Sequence, residues 1–192
     1  YLKSIRPYFG MDLIKVLTGQ RRVGKSYLLH LIRQELEAIN PKANIIYIDL
    51  ERYEFDKIRT YEDLYLYIKA SQKPGENYLF IDEIQNIEGF ERTLRSLLSE
   101  GNCDIYISGS NSAVFSGEIA TFLSGRQVVI NINSLSLTEF LVFNNLEANE
   151  QTLMRYLKHG GLPYLRHIEN DDDLVMDYLR NIYNTILYRD VV

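Results

Sequence analysis

Gly19-Gln20-Arg21-Arg22-Val23-Gly24-Lys25-Ser26 matches G-x-x-x-x-G-K-[ST] at every fixed position and follows directly on an apolar run, Leu13 to Leu17. Loops of this pattern bind nucleoside triphosphates. The glycines let the backbone curl until successive N–H groups face a phosphate, and the helix that follows adds the positive end of its dipole. Lys25 is placed to reach the β- and γ-phosphates, and the Ser26 hydroxyl to ligate the Mg²⁺ that bridges them. Tyr27-Leu28-Leu29-His30-Leu31-Ile32 continue with helix formers, so the string sits between a strand and a helix. That context separates it from a glycine-rich turn that matches by chance. The expected phosphate-contacting set is Gly19, Gln20, Arg21, Arg22, Val23, Gly24, Lys25, Ser26 and Tyr27.

Downstream, Tyr78-Leu79-Phe80-Ile81-Asp82-Glu83 is an apolar run that ends in two adjacent carboxylates, the Walker B pattern. Asp82 is the expected Mg²⁺ holder, and Glu83, one residue on, is placed to polarise an attacking water as general base. A strand that merely ends at a polar turn explains one such acid more readily than two. Asn44-Ile45-Ile46-Tyr47-Ile48-Asp49 supplies a strand between these motifs, which makes the Asp82 strand the third. Asp49 and Glu51 either line the nucleotide site or terminate that strand. A fourth strand, Asp104 to Ser108, runs into Gly109-Ser110-Asn111-Ser112, where Ser110 and Asn111 emerge beside the γ-phosphate. The same residue types are also preferred helix N-caps. Glu118 to Leu123 is helical in character; Ser124-Gly125-Arg126 and a fifth strand, Gln127 to Ile132, follow. Arg126 there also suits a cation placed after a helix C-cap glycine.

Taken together, these strings resemble a family of prokaryotic AAA-type ATPases of uncharacterised role, whose ATPase domain precedes a C-terminal domain of unknown function. The match spans nearly the whole chain. It is carried by Gly19 to Ser26 with its paired arginines, Phe80-Ile81-Asp82-Glu83-Ile84-Gln85, Ser108 to Ser112 and Leu123-Ser124-Gly125-Arg126. Leu135-Ser136-Leu137-Thr138-Glu139-Phe140, Gly160-Gly161-Leu162-Pro163 and Ile186-Leu187-Tyr188-Arg189-Asp190 complete it. The resemblance implies an α/β three-layer αβα sandwich with a mainly parallel five-stranded sheet of order 5-1-4-3-2, followed by a small helical lid. It makes Ser110 and Asn111 candidates for sensor 1, and Arg126 a candidate arginine finger that reaches the γ-phosphate of a neighbouring subunit. It allows a homo-oligomer and names no substrate. The chain begins at Tyr1 and stops within an unfinished helical pattern, so we read it as a fragment from which the C-terminal domain is missing.

Composition agrees with this reading: 192 residues with 46% hydrophobic content make one large domain plus a small one. We expect the ATPase core over 1–133 and the lid over 134–192, with helices at Leu137 to Phe143, Thr152 to Lys158 and Leu174 to Leu187. Gly160-Gly161-Leu162-Pro163 forms a hinge-like turn there. Tyr61, Leu64, Tyr65 and Ile68 share one helical face, which favours core packing over base stacking for this tyrosine-rich stretch. A net charge of −5 without a Lys/Arg run argues against nucleic acid as a partner. Cys103, the single cysteine, excludes an internal disulfide and suggests a reducing compartment, with a buried structural thiol as its role. No stretch approaches the ~18 consecutive apolar residues of a membrane span, and cytoplasm is the default. The three histidines lack ligand-like spacing. The expected function is Mg²⁺-dependent ATP hydrolysis coupled to a conformational change in a protein partner or the chain's own C-terminal domain. The alternative is a slow, monomeric, nucleotide-gated binding module, which could act on nucleic acid.

Overall fold

Parallel strands covered on both faces need near-continuous apolar runs, and the chain supplies them. The structure, a computed structural model, describes residues 1–110, 123, 125–168 and 171–188. Within it, β1 (Ile14–Thr18) and β3 (Asn77–Asp82) are buried at every position, and β4 (Asp104–Gly109) at all but its first. β2 (Asn44–Asp49) and β5 (Gln127–Asn131) are partly exposed, as edge strands are. All pairings are parallel and give the order β2-β3-β4-β1-β5, the 5-1-4-3-2 arrangement expected above.

Two compact units divide the chain: Tyr1–Gly19 with Lys25–Ile132, and Gln20–Gly24 with Asn133–Val192. The first unit holds the sheet, the single turn α1 (Leu2–Ile5), and the helices α2 (Lys25–Ile39), α3 (Tyr61–Ser71) and α4 (Phe90–Glu100). The period of two along each strand sorts its residues between two faces. Ile14, Val16, Ile46, Ile48, Leu79, Ile81, Ile105 and Ile107 form one face and share a core with Leu64, Ile68, Leu94 and Leu97 of α3 and α4. Tyr61 and Tyr65 pack against this core beside Leu64 and Ile68, so the tyrosine-rich stretch is a packing face. Thr60 and Asp63 close a capping box at the start of α3.

Across the opposite face runs a row fixed by register: Tyr47, Phe80, Tyr106 and Lys15 are successive partners. Their rings stack at 6.1 and 5.0 Å between centroids, and Lys15 Nζ sits 5.3 Å from the Tyr106 ring centre. Arg33 of α2 covers the Tyr47 end. Lys15 is fully buried, which its place in an apolar strand did not suggest. Its ammonium donates to Asp104 Oδ1 at 2.5 Å and to the Met11 carbonyl at 2.6 Å, while Asp104 Oδ2 also accepts from Tyr106 and from the Gly10 N–H. Asp104 and the Met11 carbonyl offset part of the cost of burying this charge, and burial still holds the Lys15 ammonium below its ordinary value. Cys103 is half-buried against the core and accepts a hydrogen bond from Gln72.

In the second unit the helices are α5 (Leu137–Asn144), α6 (Glu150–His159) and α7 (Asp172–Ile186). Their starts are fixed by side-chain caps at Ser136, Asn149 and Asp171. Gly161 makes a close backbone contact of its own. The Gly161 carbonyl accepts from the Leu135 N–H at 2.8 Å, and a Cβ on Gly161 would lie 2.0 Å from the Leu135 carbonyl oxygen. Gly161 thus permits two backbone segments to touch. Pro163 opens a 3-10 turn, Pro163–His167, in place of a regular helix.

Candidate functional site

At or near the carboxyl ends of β1, β3 and β4 lie Thr18, Asp82 and Ser108, all buried. Asp49 pairs with Asp82 in register, and Leu17 with Ser108, so these side chains share one end of the sheet. At the end of β1 the chain must pass close to its neighbour. The Thr18 carbonyl accepts from the Ile132 N–H at 2.7 Å, and a Cβ on Gly19 would fall 2.1 Å from the Ile132 carbonyl oxygen. Only glycine fits there, at φ 147°. α2 begins at Lys25, whose buried ammonium donates to the Gly19 carbonyl at 3.0 Å, so the loop closes on its own lysine. Between them Arg22 and Gly24 take left-handed backbone angles, φ 67° and 100°. In the second unit Arg22 is fastened to α7: its Nη1 donates to Tyr178 Oη at 2.9 Å, and its guanidinium lies 5.2 Å from the centre of that ring.

Ser26 and Asp82 come together. Burial pushes the Asp82 carboxyl above the usual carboxylate range; hydrogen bonds from Ser108 and Ser26 draw it back, and the charges of Glu83 and Asp49 push it further up. The Ser108 hydroxyl donates to Asp82 Oδ1 and accepts from the Glu83 N–H at 3.2 Å. Glu83 leaves the strand in a left-handed conformation, φ 56° and ψ 47°, and is buried. Its Oε2 accepts a hydrogen bond from the Gln85 amide, which also donates to Ser110 Oγ at 3.3 Å. Asp49 Oδ1 accepts from the Glu51 N–H, so it closes the turn after β2 while facing Asp82.

A serine hydroxyl and a carboxylate suit Mg²⁺, a hard cation that keeps several waters and completes its shell with phosphate oxygens. The raised Asp82 carboxyl, crowded by Glu83 and Asp49, is an acidic site that a divalent cation would relieve. Among the described residues, no group of three or more His, Cys, Asp or Glu side chains could hold a metal alone. The structure therefore brings Lys25, Ser26, Asp82, Glu83 and Ser110 to one end of the sheet. Arg126 is exposed just before β5, and its carbonyl accepts from the Ile14 N–H. Asn111 and most of the Glu118-to-Leu123 stretch lie outside the described residues. Two participants carried weak sequence signals. Ser108 follows from its alternation with Asp104 and Tyr106 on β4; Gln85 is visible only as a polar residue two positions after Glu83.

Five parallel strands in this order, a phosphate-type loop after β1 and paired acids at the end of β3 define a P-loop ATPase domain of the AAA+ class. Residues 12–141 match a family described as an AAA domain, and the chain belongs to it. An uncharacterised protein of Haemophilus influenzae is 34% identical over 198 aligned positions, covering 100% of this chain and 49% of its own length. One of Methanocaldococcus jannaschii is 36% identical over 191 positions, covering 93% and 42%. The chain thus spans about half the length, or less, of the curated relatives it matches. Among solved structures, AMPPCP-bound DnaA from Aquifex aeolicus aligns with a TM-score of 0.56 at 18% identity, over 91% of this chain and 59% of that one. DnaA bound to AMPPCP and single-stranded DNA aligns at 0.55, also at 18% identity and with the same coverage. At such identities the likeness is one of fold. Among the described residues no helix is long and apolar enough to cross a membrane.

Proposed function

We propose that the protein binds ATP with Mg²⁺ and hydrolyses it. The observation that supports this best is the joining of Ser26 to Asp82, with Glu83 beside them in a left-handed turn. Gly19 to Tyr27 hold the phosphates, with Lys25 leaving the Gly19 carbonyl to meet the β- and γ-oxygens. Ser26 and Asp82 hold the cation, which when bound neutralises charge across those phosphates. Glu83 accepts the proton of the attacking water, and Ser110 and Asn111 address the γ-phosphate. The residues after 133 act as a lid that passes nucleotide state to a protein partner, or to a C-terminal domain of the kind the resemblance implies. Single-stranded DNA is a ligand of the DnaA structure; a net charge of −5 favours a polypeptide partner here. The cytoplasm, where ATP is available and a lone thiol stays reduced, is the compartment we assign.

Arg126 decides between an assembled ATPase and a solitary switch. Turnover is measured across a range of protein concentrations for the wild type and Arg126→Ala. An arginine that acts on a neighbouring subunit predicts turnover per chain that rises with concentration, and a kcat at least tenfold lower in the variant with ATP affinity retained, ~10³ being usual for such fingers. Concentration-independent turnover, untouched by Arg126→Ala, instead favours the monomeric switch.

A further inference from the structure

Gln85 lies in the 3-10 turn Ile84–Asn86, which folds the chain back directly after Glu83. The turn lets a side chain two residues downstream reach the Glu83 carboxylate, and the Gln85 amide nitrogen donates to it and to Ser110 Oγ together. The bond is selective. Glu83 Oε2 takes the amide proton, and among the described residues no hydrogen bond reaches Glu83 Oε1. Meanwhile the Glu83 N–H is tied to Ser108, so both ends of the residue are held while its backbone keeps a left-handed conformation. Gln85 Oε1 is buried without a hydrogen-bond partner, a cost that the two bonds made by its nitrogen must offset. A general base has the opposite need to a structural carboxylate, because one oxygen must be fixed and the other kept available.

We infer that Gln85 is a positioning residue for Glu83. Its amide sets the direction of the carboxylate and links it to Ser110 at the end of β4. The inference rests on the reading of Glu83 as general base. As the oxygen of water bonds to the γ-phosphorus and the bond to the bridging oxygen breaks, one water proton passes to Glu83 Oε1, and ADP and phosphate separate. Gln85 gives up no proton and touches no phosphate; it keeps Oε1 turned toward the water.

The test is a double-variant cycle with Mg²⁺ and ATP: wild type, Gln85→Met, Glu83→Gln and both together, each with kcat and equilibrium ATP affinity. Gln85→Met is expected to lower kcat by roughly ten- to a hundredfold, with affinity unchanged. It should add no further loss in the Glu83→Gln background, because its effect passes through that carboxylate. An unchanged kcat, or the same fractional loss in both backgrounds, overturns the inference. Full activity in Glu83→Gln instead overturns the general-base reading itself, and the two failures are thereby distinguished. The contact is read independently of turnover from the side-chain amide resonance of Gln85 in ¹⁵N-labelled protein. That signal should move in Glu83→Gln and in Ser110→Ala; a signal indifferent to both overturns the clamp.

Discussion

Asp82 and Lys15 are both charges buried in the sheet, and they differ in how well they are partnered. Burial raises the Asp82 carboxyl above its ordinary value, against the pull of Ser108 and Ser26. A folded-state value above the unfolded one means that the folded protein holds this proton more tightly. Its contribution to stability is therefore complete below the unfolded value of about 3.9 and is lost as pH rises through the folded value. At neutral pH without Mg²⁺ the ionised Asp82 costs stability, so Asp82→Asn should melt at a higher temperature than the wild type, and the gap should close toward pH 4. Adding Mg²⁺ and ATP should raise the melting temperature of the wild type by more than that of the variant, which keeps the phosphate loop and loses a cation ligand. Thermal unfolding by circular dichroism reads both effects. Burial also holds the Lys15 ammonium below its ordinary value, with Asp104 and the Met11 carbonyl offsetting part of that cost. Lys15→Met removes the counter-charge of Asp104, leaving it only Tyr106 and the Gly10 N–H, and should cost about 3 kcal/mol in denaturant unfolding. Lys15→Met with Asp104→Asn should recover a large part of that loss.

At the scale of elements, close approach and capping decide more than propensity does. Gly19→Ala drives a methyl into the Ile132 carbonyl where β1 meets the chain after β5, and should destabilise the first unit by roughly 2 kcal/mol or more while removing ATP binding. Gly161→Ala should loosen the second unit instead, by parting Leu135 from residue 161, and leave sheet amides as protected from hydrogen exchange as before. Thr60→Ala opens the capping box of α3 at a cost of about 1 kcal/mol in the same unfolding measurement. The strands were legible because apolar runs are local signals, whereas their order followed only from the family resemblance and is what the sheet has. The face made by Tyr61, Leu64, Tyr65 and Ile68 was legible for the same reason as the strands. The contact of Gly161 with Leu135 was not, because it joins residues 26 positions apart through backbone atoms that leave no mark on residue type. Lys15 was missed likewise, since its counter-ion, Asp104, arrives only through the parallel register of β1 and β4.

For the molecule as a whole, the site combines local motifs with one non-local network. Gly19, Lys25, Ser26, Asp82 and Glu83 were found as strings, and the structure brings them to one end of the sheet. Asp82 and Glu83 are linked through Ser108, which reaches them because β4 lies beside β3, while Gln85 ties Glu83 to Ser110. Membership of the AAA domain family fits this arrangement and leaves the partner to be identified, since the relatives extend well beyond the length of this chain. On the reading proposed above, this end of the sheet hydrolyses ATP with Glu83 as base. The most direct measurement is phosphate release from ATP and Mg²⁺ by the wild type and Glu83→Gln, with ATP affinity determined on the same samples. Turnover is expected in the wild type, with a loss of roughly a hundredfold or more in Glu83→Gln and equal affinity in both. Equal turnover in the two proteins, or none in a wild type that binds ATP, would contradict that reading.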